Sequence, residues 1–373
     1  MQLLRRIAAP EPPVKRDVMT SPNPARPEPP LLASAKLSRE ARRRVMLAAV
    51  IALVVGAVVV SLSGAAAIGN RLARSRPAWI ILAAAFELMS VLGFATAFQL
   101  VFGEWLPKHS RLRMGLAVCA ATILVPAGGL LAIAAGARTL RGRGMPAAKT
   151  RSRAIAFLLI TNAPNVLVLG LVGIALGAGL LDGPHAPSLT IVPAAVALST
   201  TGLITLLPLV SHQRITRARR GTARRWVSAA AAQLELGVIE ALALVSERNW
   251  KLLGAVAYYA FDNAVLWATF KAFGHTDPPI ATLVIAYLIG SAAASLPVPA
   301  GIGVVEGGML ALLVLFGVPA ICAGIAVLAY RAVSTGLTLA LGGLAFLTIR
   351  RQAPRTSPFS THRARGLPRT VVE

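Results

Sequence analysis

Long apolar segments separated by short basic ones dominate the sequence. A helix crosses the hydrocarbon core of a bilayer with about 20 apolar residues, at about 1.5 Å per residue. The apolar segments that reach this length cover residues 45–68, 78–102, 154–181, 189–210, 250–273 and 319–349. The pattern predicts an all-α polytopic membrane protein with about six spanning helices.

Two further apolar segments, 114–137 and 280–316, share a central interruption by proline and glycine. The interrupting residues are Pro126, Gly128 and Gly129 in the first segment, and Pro297, Pro299, Gly301 and Gly303 in the second. Proline removes a backbone donor and clashes with the preceding helical turn. Irregular backbone at membrane depth is tolerated only where protein buries it or where it lines a watery cavity. We therefore predict two re-entrant hairpins, with kinked packing helices as the alternative.

The two interruptions repeat each other in sequence. Val-Pro-Ala-Gly occurs at 125–128 and 298–301, and Gly-x-Pro-Ala follows at 144–147 and 317–320, so both matches have the same offset of 173 residues. Three predicted spans lie between the copies, and an odd number places the copies in opposite orientation. This arrangement is typical of inverted-repeat transporters, whose paired breaks meet near the bilayer midplane. Ordinary similarity between Ala/Gly/Pro-rich membrane segments is the alternative.

The charge of the chain is strongly positive, with a formal net charge of +24. Arg and Lys lie in short clusters between apolar segments, as they do in cytoplasmic loops of membrane proteins, so nucleic acid is not an expected partner. If the first interruption is a hairpin, the basic clusters at 138–153 and 214–225 both face the cytoplasm. The excess of Arg over Lys indicates a bacterial origin, and we predict a multi-pass protein of the bacterial plasma membrane with both termini cytoplasmic.

Three regions follow from composition. Residues 1–44 carry eight prolines and no apolar periodicity, which predicts a disordered cytoplasmic tail. Residues 45–350 form a single transmembrane domain, and 351–373 form a second disordered, basic tail.

Within the domain, Gln233, Glu240 and Glu247 recur every seven residues and share one helix face. This spacing favours a helix on the inner membrane surface at 226–247, with a true span as the alternative.

Ionisable residues inside the apolar segments are the candidate functional groups, because such residues are costly to keep in a membrane. They are Glu87, Asp262, Glu306 and Arg331. Arg331 suits a lipid phosphate, since guanidinium forms paired hydrogen bonds with phosphate oxygens. Glu306 could balance Arg331, carry a proton or meet an amine headgroup. The alternative is a static buried ion pair that fixes helix packing.

Asn162 and Asn165 flank Pro164 in a predicted span, where they either satisfy a kinked backbone or line a cavity. The two cysteines and five histidines are scattered, so no metal and no cofactor is predicted.

The run from Pro297 to Glu306, followed by Gly317 and Arg331, resembles the P-x-P-G-G-x-G-x-x-E…G…R pattern of the lysylphosphatidylglycerol synthase transmembrane (flippase-type) family. The resemblance covers about residues 45–350. Ala300 stands where the family usually has Gly, and residues 130–132 lack the acid that often follows the first break. The resemblance implies a membrane protein that moves or handles anionic, aminoacylated or polyprenyl-linked lipids. The soluble synthase domain of the founding members has no counterpart here, so we expect no synthase activity.

The predicted function is lipid flipping, with membrane lipids as partners and no catalytic residues. The translocation path is predicted from the Pro and Gly residues of both breaks together with Glu306 and Arg331, and with Asp262 and Glu87 as secondary members. Two alternatives stay open: a membrane enzyme of lipid or cell-envelope glycolipid synthesis, and an accessory partner of envelope-biosynthesis enzymes.

Overall fold

A computed structural model describes residues 75–124, 145–183, 187–211, 222–273, 277–292 and 303–352. In these ranges the regular elements are helices. They are α1 (Pro77–Phe102), α2 (Lys108–Leu124), α3 (Ala147–Gly177), α4 (Pro187–Ser211), α5 (Thr222–Ser246), α6 (Leu253–Phe273), α7 (Ile280–Ala292), α8 (Val304–Leu315) and α9 (Ala320–Gln352), with 3-10 turns at Gly103–Trp105 and Trp250–Leu252. The predicted all-α polytopic fold is confirmed.

Four stretches are long and apolar enough to cross a membrane: Pro77–Trp105, Ala147–Gly177, Pro187–Leu206 and Ala320–Ile349. Helix α6 has 21 residues, which is about 31 Å of helix and enough to span. It is not among these four stretches because Asp262 and Asn263, in its middle, lower its mean hydropathy. The remaining predicted span, 45–68, the predicted N-terminal tail and residues 353–373 lie outside the described residues. Residues 351 and 352, predicted as the start of the second tail, are the last residues of α9.

Proline fixes where the equivalent helices of the repeat begin. Helices α3 and α9 start directly after Pro146 and Pro319, because proline needs no backbone partner at a helix start and its φ is already helical. Their first residues, Ala147 and Ala320, lie 173 residues apart. At the same offset, the residues of α1 correspond to those of the 3-10 turn at Trp250–Leu252 and of α6. The repeat predicted from sequence is therefore a repeat of helices.

The start of α3 differs from the prediction. We expected a span from residue 154, but the helix begins at Ala147, so Lys149, Arg151 and Arg153 are helical rather than part of a loop. Acidic and amide groups on neighbouring elements satisfy these side chains. Helix α3 therefore includes the last three basic residues of the 138–153 cluster.

Helices α1 and α6 are equivalent in the repeat and pack antiparallel. Their contacts run in opposite directions along the two helices: Arg76 N to Ala272 O at 2.9 Å, Trp79 on Trp267, Phe86 on Phe261, and Ser90 Oγ to Tyr258 O at 2.8 Å. Because equivalent helices point in opposite directions, the two repeats are inverted. The other packing follows the same symmetry, since α2 lies on α9 as α7 lies on α3.

One end of the bundle, here called the basic end, carries Lys108, Arg111, Lys149, Arg151 and Arg153. Helix α1 ends there, and both α2 and α3 begin there. The Arg111 Nε donates to Leu106 O at 3.0 Å, and Arg153 Nη1 donates to Val101 O at 2.9 Å. The described parts of the first repeat therefore place the start of α2 and the start of α3 at the same end.

The second repeat has the opposite arrangement. Helix α7 begins where α6 ends, at the end far from the basic one, and Lys271 pairs with Asp277 across that connection. Helix α9 also begins there, because Thr338 in its middle contacts Glu87 and Ile349 near its C-terminus packs at the basic end. The two predicted hairpins thus enter from opposite ends. The breaks themselves, 125–144 and 293–302, lie outside the described residues.

Helix α5 uses its polar residues to bind α3. Glu240 pairs with Lys149 at 3.0 Å and with Arg153, and Gln233 accepts from Arg151 at 3.1 Å. Another face of α5 is apolar and exposed, at Leu236, Ile239, Leu242 and Val245. This face suits contact with lipid. Whether α5 lies on the membrane surface or crosses it stays a prediction.

Candidate functional site

Helices α7 and α8 are the described arms of the second hairpin. With 13 and 12 residues they are each about 20 Å long, which is too short to cross a bilayer. They pack closely at Gly290, where an added Cβ would lie 2.9 Å from the backbone nitrogen of Met309. Glycine is needed at that position because a side chain would push the arms apart. The first turn of α8 is thereby held inside the bundle.

Glu306 lies in that first turn and uses both carboxylate oxygens. Its Oε2 accepts from the backbone nitrogen of Gly303 at 2.7 Å, which caps the start of α8. Its Oε1 accepts from Arg331 Nε of α9 at 2.5 Å. The Gly303 backbone has a φ of +85°, a conformation that favours glycine. Both side chains of the ion pair are about one fifth exposed, so the pair is reachable from outside the protein core.

Asp262 lies beside this ion pair, near the middle of α6. Its Oδ2 accepts from Tyr287 Oη of α7 at 2.6 Å and from Tyr330 Oη of α9 at 3.0 Å. The charge of Arg331, the next residue after Tyr330, also acts on Asp262. Asp262 therefore joins the hairpin, the long last helix and α6 at one point.

Glu87 is the fourth ionisable member and the most deeply buried. Its side chain is only 3% exposed, and its Oε1 accepts from Thr338 Oγ1 of α9 at 2.6 Å. Glu87 and Asp262 are close enough for their charges to interact. The four ionisable residues singled out in the sequence thus form one cluster around the middle of the bundle.

Three buried oxygen atoms near the centre of the bundle have no hydrogen-bond partner among the described residues. They are Glu87 Oε2, Asp262 Oδ1 and Asn165 Oδ1. Buried polar atoms are normally satisfied by protein or ordered water. The interior of this membrane domain therefore has unused hydrogen-bonding capacity on the faces of α1, α3 and α6.

A cavity of about 420 Å³ opens between α3, α6 and α7. Its lining is mostly apolar, with Val168, Trp267 and Leu288 among its walls, and Asn165 and Asn263 supply amide groups. Its volume falls in the range of small-ligand sites.

The two asparagines around Pro164 have different surroundings. Asn165 lines this cavity, together with Pro164. Asn162 donates to the backbone oxygen of Leu158 at 2.8 Å, one turn back on the same helix, and accepts from Tyr259 Oη of α6 at 3.3 Å.

Apart from Glu87 of α1, the charged and phenolic side chains of the cluster come from the second repeat. At the offset of 173 residues, Tyr287 corresponds to Met114 and Tyr330 corresponds to Phe157, and both counterparts are buried in the apolar core at the basic end. Asp262 corresponds to Met89 and Arg331 to Leu158. The repeats therefore share their helices and packing, but only the second carries this set of hydrogen-bonding and charged side chains.

The structure brings together Glu87, Asp262, Glu306, Arg331 and the backbone of Gly303 from the predicted path. The predicted residues Pro126, Gly128, Gly129, Pro297, Pro299 and Gly301 lie outside the described residues. Sequence reasoning missed Tyr287, Tyr330 and Thr338. A tyrosine in an apolar helix next to Arg331 was an available signal, because a buried phenol usually finds a hydrogen-bond partner.

The sequence profile described as Lysylphosphatidylglycerol synthase TM region matches residues 45–342. The chain belongs to this family. The match includes both repeats and the four ionisable residues of the cluster, and it confirms the family predicted from the Pro/Gly-rich run and Arg331. No curated protein gives a significant match to the chain. The protein is thus an integral, multi-pass membrane member of the lysylphosphatidylglycerol synthase transmembrane family.

Proposed function

We propose that this protein is a lipid flippase that moves a phospholipid or a polyprenyl-linked lipid between the leaflets. The observation that carries the proposal is the partly exposed ion pair of Glu306 and Arg331 in the middle of an inverted-repeat bundle. In transporters of this architecture, substrate sites lie at the repeat interface near the bilayer midplane. An accessible charged pair at that depth suits a polar headgroup.

Arg331 supplies the phosphate partner. Its guanidinium presents several N–H donors in a plane that matches two phosphate oxygens. Glu306 holds Arg331 in place before the lipid arrives, and an incoming phosphate competes with the Glu306 carboxylate for the same donors. The released carboxylate still accepts from Gly303 N, so α8 keeps its cap during the exchange.

The apolar cavity between α3, α6 and α7 favours a lipid over a small water-soluble solute. A lipid needs an apolar path for its acyl or prenyl chains beside a polar path for its headgroup. The cavity provides apolar walls, with two amides near the polar centre. Its size fits part of one chain rather than a complete lipid.

The proposed orientation places the basic end in the cytoplasm of a bacterial cell. Cytoplasmic loops carry an excess of Lys and Arg, and the described basic side chains of α2 and of the start of α3 lie at that end. Both chain termini then lie in the cytoplasm. The lipid is moved without chemical change in this proposal.

Purified protein in vesicles with fluorescent phospholipids of different headgroups tests the proposal, using chemical quenching of the outer leaflet. We expect headgroup-dependent exchange that falls about tenfold or more in Glu306→Gln and in Arg331→Ala, because each removes one charge of the site. Glu104→Gln and Arg151→Ala are matched controls, since both side chains are exposed at the basic end. Wild-type vesicles that exchange no lipid faster than empty vesicles would refute lipid flipping and favour an enzyme or accessory role.

Arg331→Lys separates a working site from a static ion pair. Lysine keeps the charge facing Glu306 but cannot make the paired hydrogen bonds of guanidinium with phosphate. We expect nearly unchanged thermal stability in detergent together with strongly reduced exchange. Equal losses of stability and exchange would support the static ion pair instead.

A further inference from the structure

Glu87 and Asp262 lie close to the pseudo-twofold centre of the fold. The antiparallel contacts of α1 and α6 include Phe86 with Phe261 and Ser90 with Tyr258. Between these contacts, residue 87 meets residue 260, its own counterpart at the repeat offset of 173 residues. Such a point is shared by both inverted repeats. In alternating access the two repeats move against each other, and a cavity opens first toward one end of the bundle and then toward the other. A group at the pseudo-twofold centre is equally far from both ends.

The charges around this point do not balance. The charged and titratable side chains that act on the pair are Cys119 of α2, Tyr258 and Tyr259 of α6, Tyr287 of α7, and Tyr330 and Arg331 of α9. Glu306 of α8 is the ion-pair partner of Arg331. Within the described residues, Arg331 is therefore the one cation beside three carboxyl groups, and its guanidinium already bonds Glu306. Two carboxylates would remain without a cation of their own.

Each of the two remaining acids has one buried oxygen without a partner among the described residues, Glu87 Oε2 and Asp262 Oδ1. The contacts of the other oxygen distinguish them. Burial disfavours the charged form of both acids, but Asp262 Oδ2 accepts from two phenols and lies near Arg331, and these contacts offset part of that cost for Asp262. In the described part of the chain, Glu87 Oε1 accepts from one threonine hydroxyl only. Burying an unpaired charge costs far more than burying a neutral acid. The arrangement therefore suits an anionic Asp262 beside a protonated Glu87.

We propose that Glu87 and Asp262 form a proton-binding pair that couples lipid movement to a proton gradient. The pair carries one proton, held on Glu87, as long as no water reaches the two carboxyl groups. When the bundle opens toward one side, water reaches Glu87 and the proton leaves to that side; the return step takes a proton from the other side. The proton site is inferred from the contacts of Glu87 and Asp262 and does not depend on lipid transport. The coupling rests on the proposed flippase function.

Infrared spectroscopy of the purified protein tests the proton site without any transport. Wild-type protein at neutral pH should show the carbonyl band of a protonated, buried carboxylic acid, and Glu87→Gln should lose it. Asp182→Asn is the matched acid-to-amide control, because Asp182 is exposed in the loop after α3, and it should keep the band. Thermal unfolding in detergent verifies that both variants are folded. Absence of the band from the wild type, or its persistence in Glu87→Gln, would overturn the proton site.

Vesicles with an imposed pH difference test the coupling. The measured quantity is the ratio of lipid exchange with the gradient to exchange without it. We expect a ratio of several-fold for the wild type and for Asp182→Asn, and a ratio near one for Glu87→Gln. A wild-type ratio of one with clear lipid exchange would overturn the coupling and leave the flippase intact. No exchange under either condition would refute the flippase and the coupling together, whereas the infrared result would still decide the proton site.

Discussion

Glu306 has a structural task besides its ion pair. One oxygen accepts from Gly303 N and the other from Arg331 Nε. Glutamate at the third position of a helix commonly bonds back to the first backbone amide, and this fixes the helix start. The side chain thus connects the end of the Pro/Gly-broken segment to α9. Charge and geometry at this residue are separable by mutation.

Glu306→Gln should be more stable than Glu306→Ala. Glutamine still accepts from Gly303 N but has no charge for Arg331, whereas alanine loses both contacts. We expect a difference of about 1 kcal/mol between the two variants, the usual value of a helix-capping contact. Thermal unfolding in detergent measures it, with Asp182→Asn as a reference for an exposed acid. Equal stabilities of the two variants would show that the cap contributes nothing.

The crossing of α1 and α6 depends on two glycines. A Cβ at Gly93 would lie 2.8 Å from Gly254 O, and a Cβ at Gly254 would lie 2.6 Å from Gly93 O. Small residues permit such close backbone approach between membrane helices. This contact holds the two inverted repeats together near the basic end.

Gly93→Ala should therefore destabilise the protein by about 1 to 3 kcal/mol, as overpacking of a tight contact does. Gly336→Ala on α9 is the matched control, since an added Cβ there meets no atom within 4 Å. That control should be neutral or stabilising, because alanine favours a helix over glycine by about 1 kcal/mol. The comparison is made by unfolding in detergent. A Gly93→Ala variant as stable as the control would refute the close crossing.

Helix α5 is attached to α3 by charge. Arg153 is buried, its side chain only 8% exposed, and it pairs with Glu240 and more distantly with Glu104 at 3.6 Å. A buried cation that loses its partner is strongly destabilising. These contacts fix α5 against α3.

Glu240→Ala should cost about 3 kcal/mol of stability, the scale for breaking a buried ion pair. Glu247→Ala is the matched control, because Glu247 is exposed at the end of α5. The double variant Arg153→Met with Glu240→Met should recover part of the loss, since no unpaired cation then remains at residue 153. If the single and double variants unfold at the same temperature, the charge contact is not what holds α5.

The inverted repeat makes a prediction about sides of the membrane. Lys108 and Ala147 begin α2 and α3 at the basic end, whereas Asp277 and Ala320 lie at the starts of α7 and α9 at the other end; these four residues are exposed. Single cysteines at these positions, in a background with Cys322 replaced by serine, report the side each faces. A membrane-impermeant maleimide applied to intact cells should label Asp277→Cys and Ala320→Cys but not Lys108→Cys or Ala147→Cys. Labelling of all four from one side would contradict the inverted arrangement.

Local sequence patterns determined the positions of most helices and the repeat between them. Apolar runs set the helix bodies, and Pro146 and Pro319 set two equivalent starts, because a proline acts on the backbone within its own turn. The same patterns singled out Glu306 and Arg331, since a charge in an apolar run is visible without a structure. The early start of α3 was missed because its basic residues are satisfied by Glu240, on a helix far away in the chain.

Only the tertiary structure decided which side chains meet. Tyr287 and Tyr330 lie 25 and 68 residues from Asp262, and Thr338 lies 251 residues from Glu87. These contacts depend on the antiparallel crossing of α1 and α6 and on the short hairpin arms held inside the bundle. No local pattern encodes such distances, because they arise when separate helices pack against one another.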